Sequence, residues 1–249
     1  MATQAARFAP FHRHDRAFFA IFVAICWIGV IAGFAPASMG RIQGKADYVA
    51  PLVLHLHAIA FVGWLLLLTT QVVLIRRGQA ALHRRLGPIG MALIPVMALT
   101  GFLAECYSQR YYLAHPPDSQ AFFIIPIWYV IGFTGFAVAA MLARRDSPAH
   151  KRLLLLATTV IVSAAYTRWW GAVLTGWVGD GYWGTIVNTF TPAHLILLAA
   201  LSYDVATRGR IHRVYLVGVP AILAAELVVS WIYHAPGWLP LARWIATTF

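Results

Sequence analysis

Four ionisable side chains stand inside long apolar stretches of this sequence: His57, Arg168, His194 and Glu226. Such groups are costly in lipid, so they face the interior of a bundle and find partners there. At 1.5 Å per residue, each falls about 10 Å in from the same end of its stretch. At 100° per residue, His55 and His57 point about 200° apart, so only one can face a shared site. His57, Trp64 and Gln71 recur every seven residues as a semi-polar stripe, which favours His57 and leaves His55 at the rim. Arg168 shares its face with Ala157, Ala164, Ala172 and Thr175, small residues that admit a close neighbour. Glu226, Ser230 and Tyr233 form one stripe, and Asn188, Thr191 and His194 another. Pro192 is expected to kink the latter helix and to free a carbonyl one turn earlier.

These types at one depth admit several chemistries. As a structural network, Arg168 pairs with Glu226 and the histidines bond to backbone or to each other. As a haem b site, His57 and His194 are the iron ligands, with Arg168, Arg110 or Arg41 on the propionates. As a zinc hydrolase, His57, His194 and Glu226 are three ligands, although no HxxxH or HExxH spacing is present. As a proton-coupled carrier, Glu226 and the histidines form a relay. The leading expectation is a haem b electron-transfer protein working with quinone or another membrane subunit. The rival is a non-enzymatic transporter or structural membrane subunit, and the reaction class stays open.

The elements that must position these groups follow from composition. The chain has 249 residues, 61% apolar and 11% charged, with a mean hydropathy of +0.72. An ordinary soluble domain carries about 25% charged residues. A chain this apolar cannot hide its surface as a soluble globule, so its solvent is lipid. Seven runs are long enough to span a bilayer, at about 17–39, 51–75, 87–105, 121–143, 153–176, 185–206 and 214–234. The first run ends in Ala35-Pro36-Ala37 but is longer than a signal-peptide core, so it reads as an uncleaved span. The expectation is an all-α polytopic bundle forming a single transmembrane domain over residues 1–249.

Charge sets the orientation. Fourteen of the nineteen Lys and Arg residues, from Arg7 to Arg213, fall in the segments that share a side with the N-terminus. That places the N-terminus in the cytoplasm and the C-terminus outside. The same bias explains the net charge of +11 without nucleic acid. Most tryptophans lie toward the opposite ends. The tail 236–249 spaces Trp238, Leu241, Trp244 and Ile245 as an interfacial helix.

His83, Arg84, Arg85; His150, Lys151, Arg152; and His212, Arg213 open the odd-numbered helices from the basic side, at spacings of 67 and 62 residues. They read as lipid-headgroup ligands and as the mark of three repeated hairpins, or of convergence under the topology rule. Asp204 and Arg208 read as an i,i+4 ion pair, and Glu105 as a solvated residue at the outer end of the third span. Gly29 and Gly33 form a GxxxG for close packing within the bundle or in a homo-oligomer. The segment 107–120, with Tyr111, Tyr112, His115 and Pro116-Pro117, is a loop able to cap the outer cavity. Cys26 and Cys106 sit too far apart in depth for a disulfide framework. Walker, GxSxG and EF-hand patterns do not occur.

Three motifs together carry a resemblance. They are Leu82-His83-Arg84-Arg85-Leu86-Gly87 after the His57–Trp64–Gln71 stripe, His150-Lys151-Arg152-Leu153 with Arg168-Trp169 downstream, and Tyr203-Asp204 followed by Arg208-Gly209-Arg210-Ile211-His212. The chain resembles, over its second to seventh spans, an uncharacterised family of bacterial multi-pass inner-membrane proteins. That resemblance implies the fold and the membrane but little about activity. More loosely the chain is similar to di-haem b-type cytochromes, which implies haem on histidines of matched depth. Its inner histidines lie in loops rather than within spans, so one haem is implied rather than two.

Overall fold

The computed structural model describes residues 8–46, 48–115 and 120–249. Arg7 and Pro116-Pro117 therefore lie outside the described residues. Among the described residues the chain is helical throughout: α1 (Asp15–Ile42), α2 (Leu52–Arg76), α3 (Ala80–Ala114), α4 (Ile124–Leu142), α5 (Ser147–Val178), α6 (Tyr182–Arg208), α7 (Arg213–His234) and α8 (Trp238–Thr248). A 3-10 turn, Gln120–Phe123, leads into α4. Seven of these helices, α1 to α7, are long and apolar enough to cross a membrane. A lipid-spanning segment must satisfy its own backbone, which is why apolar runs of this length fold as helices.

Helix α5 is the central column. It packs on α1, α4, α6 and α7, and its apolar stretch is the most buried of the seven. Helices α2 and α3 pair on the flank, with α3 reaching α4 and α2 reaching α1. Successive helices run up and down, so the ends of α2, α4 and α6 meet the starts of α1, α3, α5 and α7 at one basic end.

Local signals set the helix ends. Asp146 caps α5 by accepting from the Ala149 N–H at 3.1 Å, with Pro148 in the first turn. Gly209, at φ 67°, closes α6 in the left-handed conformation. His212 caps α7 through Nδ1, which accepts from the Val214 N–H at 3.2 Å.

Gly33 and Gly29 bring α1 onto α5. A Cβ on Gly33 would land on the carbonyl oxygen of Ala165, and one on Gly29 would meet the Tyr166 ring. The Tyr166 hydroxyl donates to the Ile25 carbonyl at 2.9 Å across the same contact. The GxxxG is thus used for close packing inside the bundle. Cys26 and Cys106 are both buried and free.

Two extents differ from expectation. Helix α3 continues to Ala114, because Gln109 and its neighbours keep one side buried after the hydropathy fades. Much of the expected capping loop is therefore helix. In α8, Trp238, Ala242 and Ala246 point inward at i, i+4 and i+8, whereas Leu241 and Trp244 are exposed. The Trp238 indole donates to the Ala121 carbonyl at 3.0 Å, so the tail is docked on the bundle rather than only laid in the interface.

Candidate functional site

The polar layer gathers around α4 to α7, but its pairing is not the expected one. His194 Nε2 lies 2.6 Å from Glu226 Oε2. Glu226 is buried at 3% exposure, and the His194 side chain is 30% exposed. At this distance one proton is shared, whether it sits on the imidazole or on the carboxyl. Arg168 turns away: Nη1 donates to the Ala164 carbonyl of its own helix at 2.9 Å, and the guanidinium lies 4.8 Å from the Phe34 ring centroid. The Arg168–Glu226 pair is therefore corrected to His194–Glu226, because the long Arg168 side chain follows the bundle surface toward α1 while Glu226 faces α6.

Tyr129 and Thr167 sit between these groups. The Tyr129 hydroxyl is 3.2 Å from Thr167 Oγ1, which has the Ser163 and Thr189 carbonyls at 2.9 and 3.0 Å. Carbonyls only accept, so the threonine proton goes to one of them and Tyr129 donates to Thr167. The Thr189 carbonyl lies one residue from that of Asn188, which Pro192 leaves without its helical donor; α6 runs unbroken through the proline. Tyr129 lies within electrostatic reach of both Glu226 and Arg168, and Arg168 within reach of His57 and Glu105.

Toward the far end, α7 continues the polar line. The Ser230 hydroxyl donates to the Tyr182 carbonyl at 2.7 Å, and His234 Nε2 lies 3.0 Å from Thr185 Oγ1. Glu226, Ser230 and His234 form the stripe at i, i+4 and i+8, and His234 reaches the surface. The sequence reading placed Tyr233 there instead of His234; the i+4 spacing was the signal that could have found it. Asn188 Nδ2 donates to the Gly179 carbonyl at 2.9 Å near the same end.

The remaining expected residues are dispersed. The His57 ring lies tilted against that of Phe61, centroids 4.1 Å apart, and its Nδ1 is buried without a partner. His55 is exposed and bonds to the Pro51 carbonyl at 3.1 Å. Trp64 is buried and donates to Thr158 Oγ1 at 3.2 Å, and Gln71 Nε2 donates to the His83 carbonyl at 3.2 Å. Arg41 bonds to the Tyr48 carbonyl at 2.9 Å, and Arg110 is exposed. Glu105, expected to be solvated, is partly buried and accepts from Gln109 Nε2 at 2.7 Å, because α3 runs more than two turns past it.

As haem ligands, His57 and His194 do not fit. Helix α2 packs on α1 and α3 while α6 packs on α5 and α7, and His194 commits Nε2 to Glu226. Nor does a group of three His, Cys, Asp or Glu suited to a metal ion occur among the described residues, so the zinc set of His57, His194 and Glu226 does not form.

At the basic end several expected headgroup ligands are consumed internally. Asp15 accepts from Lys151 Nζ at 2.7 Å, from Arg208 Nη2 at 2.8 Å and from the Tyr203 hydroxyl at 2.6 Å. Arg152 is 2% exposed and makes a forked bond to Asp204, with Nε at 2.8 Å from Oδ2 and Nη2 on Oδ1. The His212 N–H adds a third bond to Asp204 at 3.2 Å. Phe8 covers this knot, 4.6 Å from the Arg152 guanidinium and 4.6 Å from the His212 ring. Lys151, Arg152 and His212 are thus internal residues, and the expected Asp204–Arg208 pair is only a 4.0 Å contact beside stronger ones. Arg213 pairs with Asp146 at 3.3 Å, both groups largely exposed. His83, Arg84, Arg85 and His150 remain at the basic end without a carboxylate ion pair among the described residues.

Comparison with protein-family models, curated proteins and solved structures finds no match.

Proposed function

We propose that this multi-pass membrane protein couples its work to protons, and that Glu226 with His194 is the group that takes them up. The observation that carries the reading is the 2.6 Å contact between a buried carboxylate and an imidazole, with no Lys or Arg bonded to the carboxylate among the described residues. A buried carboxylate without a fixed cation is stable only when it holds a proton or receives one from a neighbour, which is the property a relay needs. Supporting it, the stripe Glu226, Ser230 and His234 leads from the pair to the end remote from the basic loops. In the other direction, α7 presents Ile222 and Val219, both buried and apolar, before Tyr215 is reached beneath the Arg152 guanidinium. Protons thus reach Glu226 from the far end, and passage onward needs a conformational change that opens this apolar plug. The basic end faces the cytoplasm by the positive-inside rule, and the cytoplasmic membrane of a bacterium is the setting the charge bias fits.

The test is proton flux in proteoliposomes loaded with a pH-sensitive dye under an imposed potential. Flux in wild type should fall at least tenfold in Glu226→Gln, and His234→Ala should slow uptake from one side only. Undiminished flux in Glu226→Gln would overturn the reading. So would a Soret band in haem-replete preparations that is lost in both His57→Ala and His194→Ala.

A further inference from the structure

The basic end holds more cation than its carboxylates use. Asp15, Asp146 and Asp204 engage Lys151, Arg152, Arg208 and Arg213. Arg84, Arg144 and Arg145 have no carboxylate partner among the described residues, and all three line one cavity of about 430 Å³. This is the size of a small-molecule site, and no acidic residue lines it.

The cavity opens between two hairpins, α2–α3 and α4–α5. Its depth is apolar: Trp64, Leu67, Met141 and Leu154 form the inner wall. From Trp64 to Gln71 it follows seven residues of α2, about 10 Å along the helix axis. Its rim is cationic, with His83 and Arg84 from one hairpin facing Arg144, Arg145 and His150 from the other. The two histidines are each the fourth residue of their helix, 67 residues apart, and lie within electrostatic reach of each other.

Three polar atoms here lack their protein complement. His83 Nδ1 and Gln71 Oε1 are buried without a partner. His150 Nδ1 lies 2.7 Å from the Ala140 carbonyl. A carbonyl only accepts, so that nitrogen carries the proton and Nε2 is left free. The corresponding histidine of the third hairpin, His212, is instead used as a helix cap beneath Phe8.

We propose that this cavity binds an amphiphile carrying a phosphate monoester, with its hydrocarbon body against Trp64 and Leu154, its phosphate oxygens held by Arg84, Arg144 and Arg145, and the remaining P–OH of the monoanion donating to His150 Nε2. Guanidinium groups suit phosphate because their forked donors match its oxygens. The apolar inner wall selects a tail over a bare ion. The site is separate from the His194–Glu226 pair and does not rest on its role.

The experiment is thermal unfolding of the full chain in neutral maltoside micelles titrated with dodecyl phosphate. A ligand that binds only the folded state raises the melting temperature saturably. Dodecyl phosphate should do so, and inorganic phosphate at the same concentrations should not. The triple variant Arg84→Gln, Arg144→Gln, Arg145→Gln should raise the half-saturating concentration at least tenfold. Gly87→Leu should do the same while keeping every charge, since a Cβ at Gly87 meets nothing within 4 Å and the added side chain enters the cavity. Arg76→Gln with Arg77→Gln, exposed at the same end outside the cavity, should leave the titration unchanged. Nanodiscs with phosphatidic acid replacing phosphatidylcholine assign the source: stabilisation there as well places the ligand in the leaflet, whereas response to dodecyl phosphate alone means it arrives dissolved. No saturable shift, an equal response to inorganic phosphate, or equal loss in the Arg76/Arg77 variant would overturn the proposal.

Discussion

Asp204 accepts a fork from Arg152 and a third bond from the His212 backbone, and none of the three groups meets solvent. Removing one partner of such a pair strands the other, which costs about 3–5 kcal/mol. Arg152→Ala should therefore lower stability by that amount in denaturant titrations of the detergent-solubilised protein, and Arg152→Lys by less, since the charge survives without the fork. His212 adds a pH signature. Burial, with the nearby Arg152 charge second, pushes its imidazole down to about 4 from the usual 6.5. The unfolded chain then takes up a proton before the folded one as pH falls. The stabilisation is complete above about pH 6.5 and is lost progressively down to about pH 4. Melting temperatures across that range should show an acid-side slope that His212→Asn, which keeps a capping side chain, reduces. None of this was legible locally. A His followed by bases at a helix entrance reads as a topology signal, and the carboxylate that claims Arg152 lies 52 residues away.

Helix number and order were readable, because seven apolar runs separated by basic or Pro/Gly-bearing segments leave little freedom in a bilayer. Where the runs end was not. Around Glu105, Ser108 and Gln109 the hydropathy drops, yet burial against neighbours carries α3 on, and only tertiary packing records that. The small-residue faces were visible as faces, but their partner was not: Gly33 meets the Ala165 backbone of α5 rather than a second molecule. Gly33→Val should drive α1 away from α5, at a cost of about 1–3 kcal/mol for overpacking. Folded yield and melting temperature should fall, whereas Gly40→Val, at a glycine with open space around it, should change neither much. The polar layer was half legible for a related reason. Depth could be counted, so His194 and Glu226 were placed at one level. Azimuth depends on how each helix is rotated in the bundle, so Glu226 was assigned to Arg168 and its pairing with His194 was missed.

For the whole molecule, seven helices long and apolar enough to cross a membrane predict that the two ends of the chain lie on opposite sides. A reporter active only in the cytoplasm, fused after Phe249, should stay inactive, while the same reporter inserted at Gly209 should work. The reverse pattern would refute the orientation that the basic loops imply.

Asp15 stands at the first turn of the first helix, and its partners Lys151, Tyr203 and Arg208 come 136 to 193 residues later. During synthesis this carboxylate must wait at the membrane boundary until the fifth and sixth helices have been made. The knot it then ties under Phe8 closes the bundle at its basic end, so the order of biogenesis is written into it: early helices remain provisional until late ones arrive. Such long waits expose a chain to quality control. Chains cut off after α4 should accordingly be degraded quickly, and co-expression of the missing segment 144–249 should rescue them, less so when Asp15 is replaced by Asn.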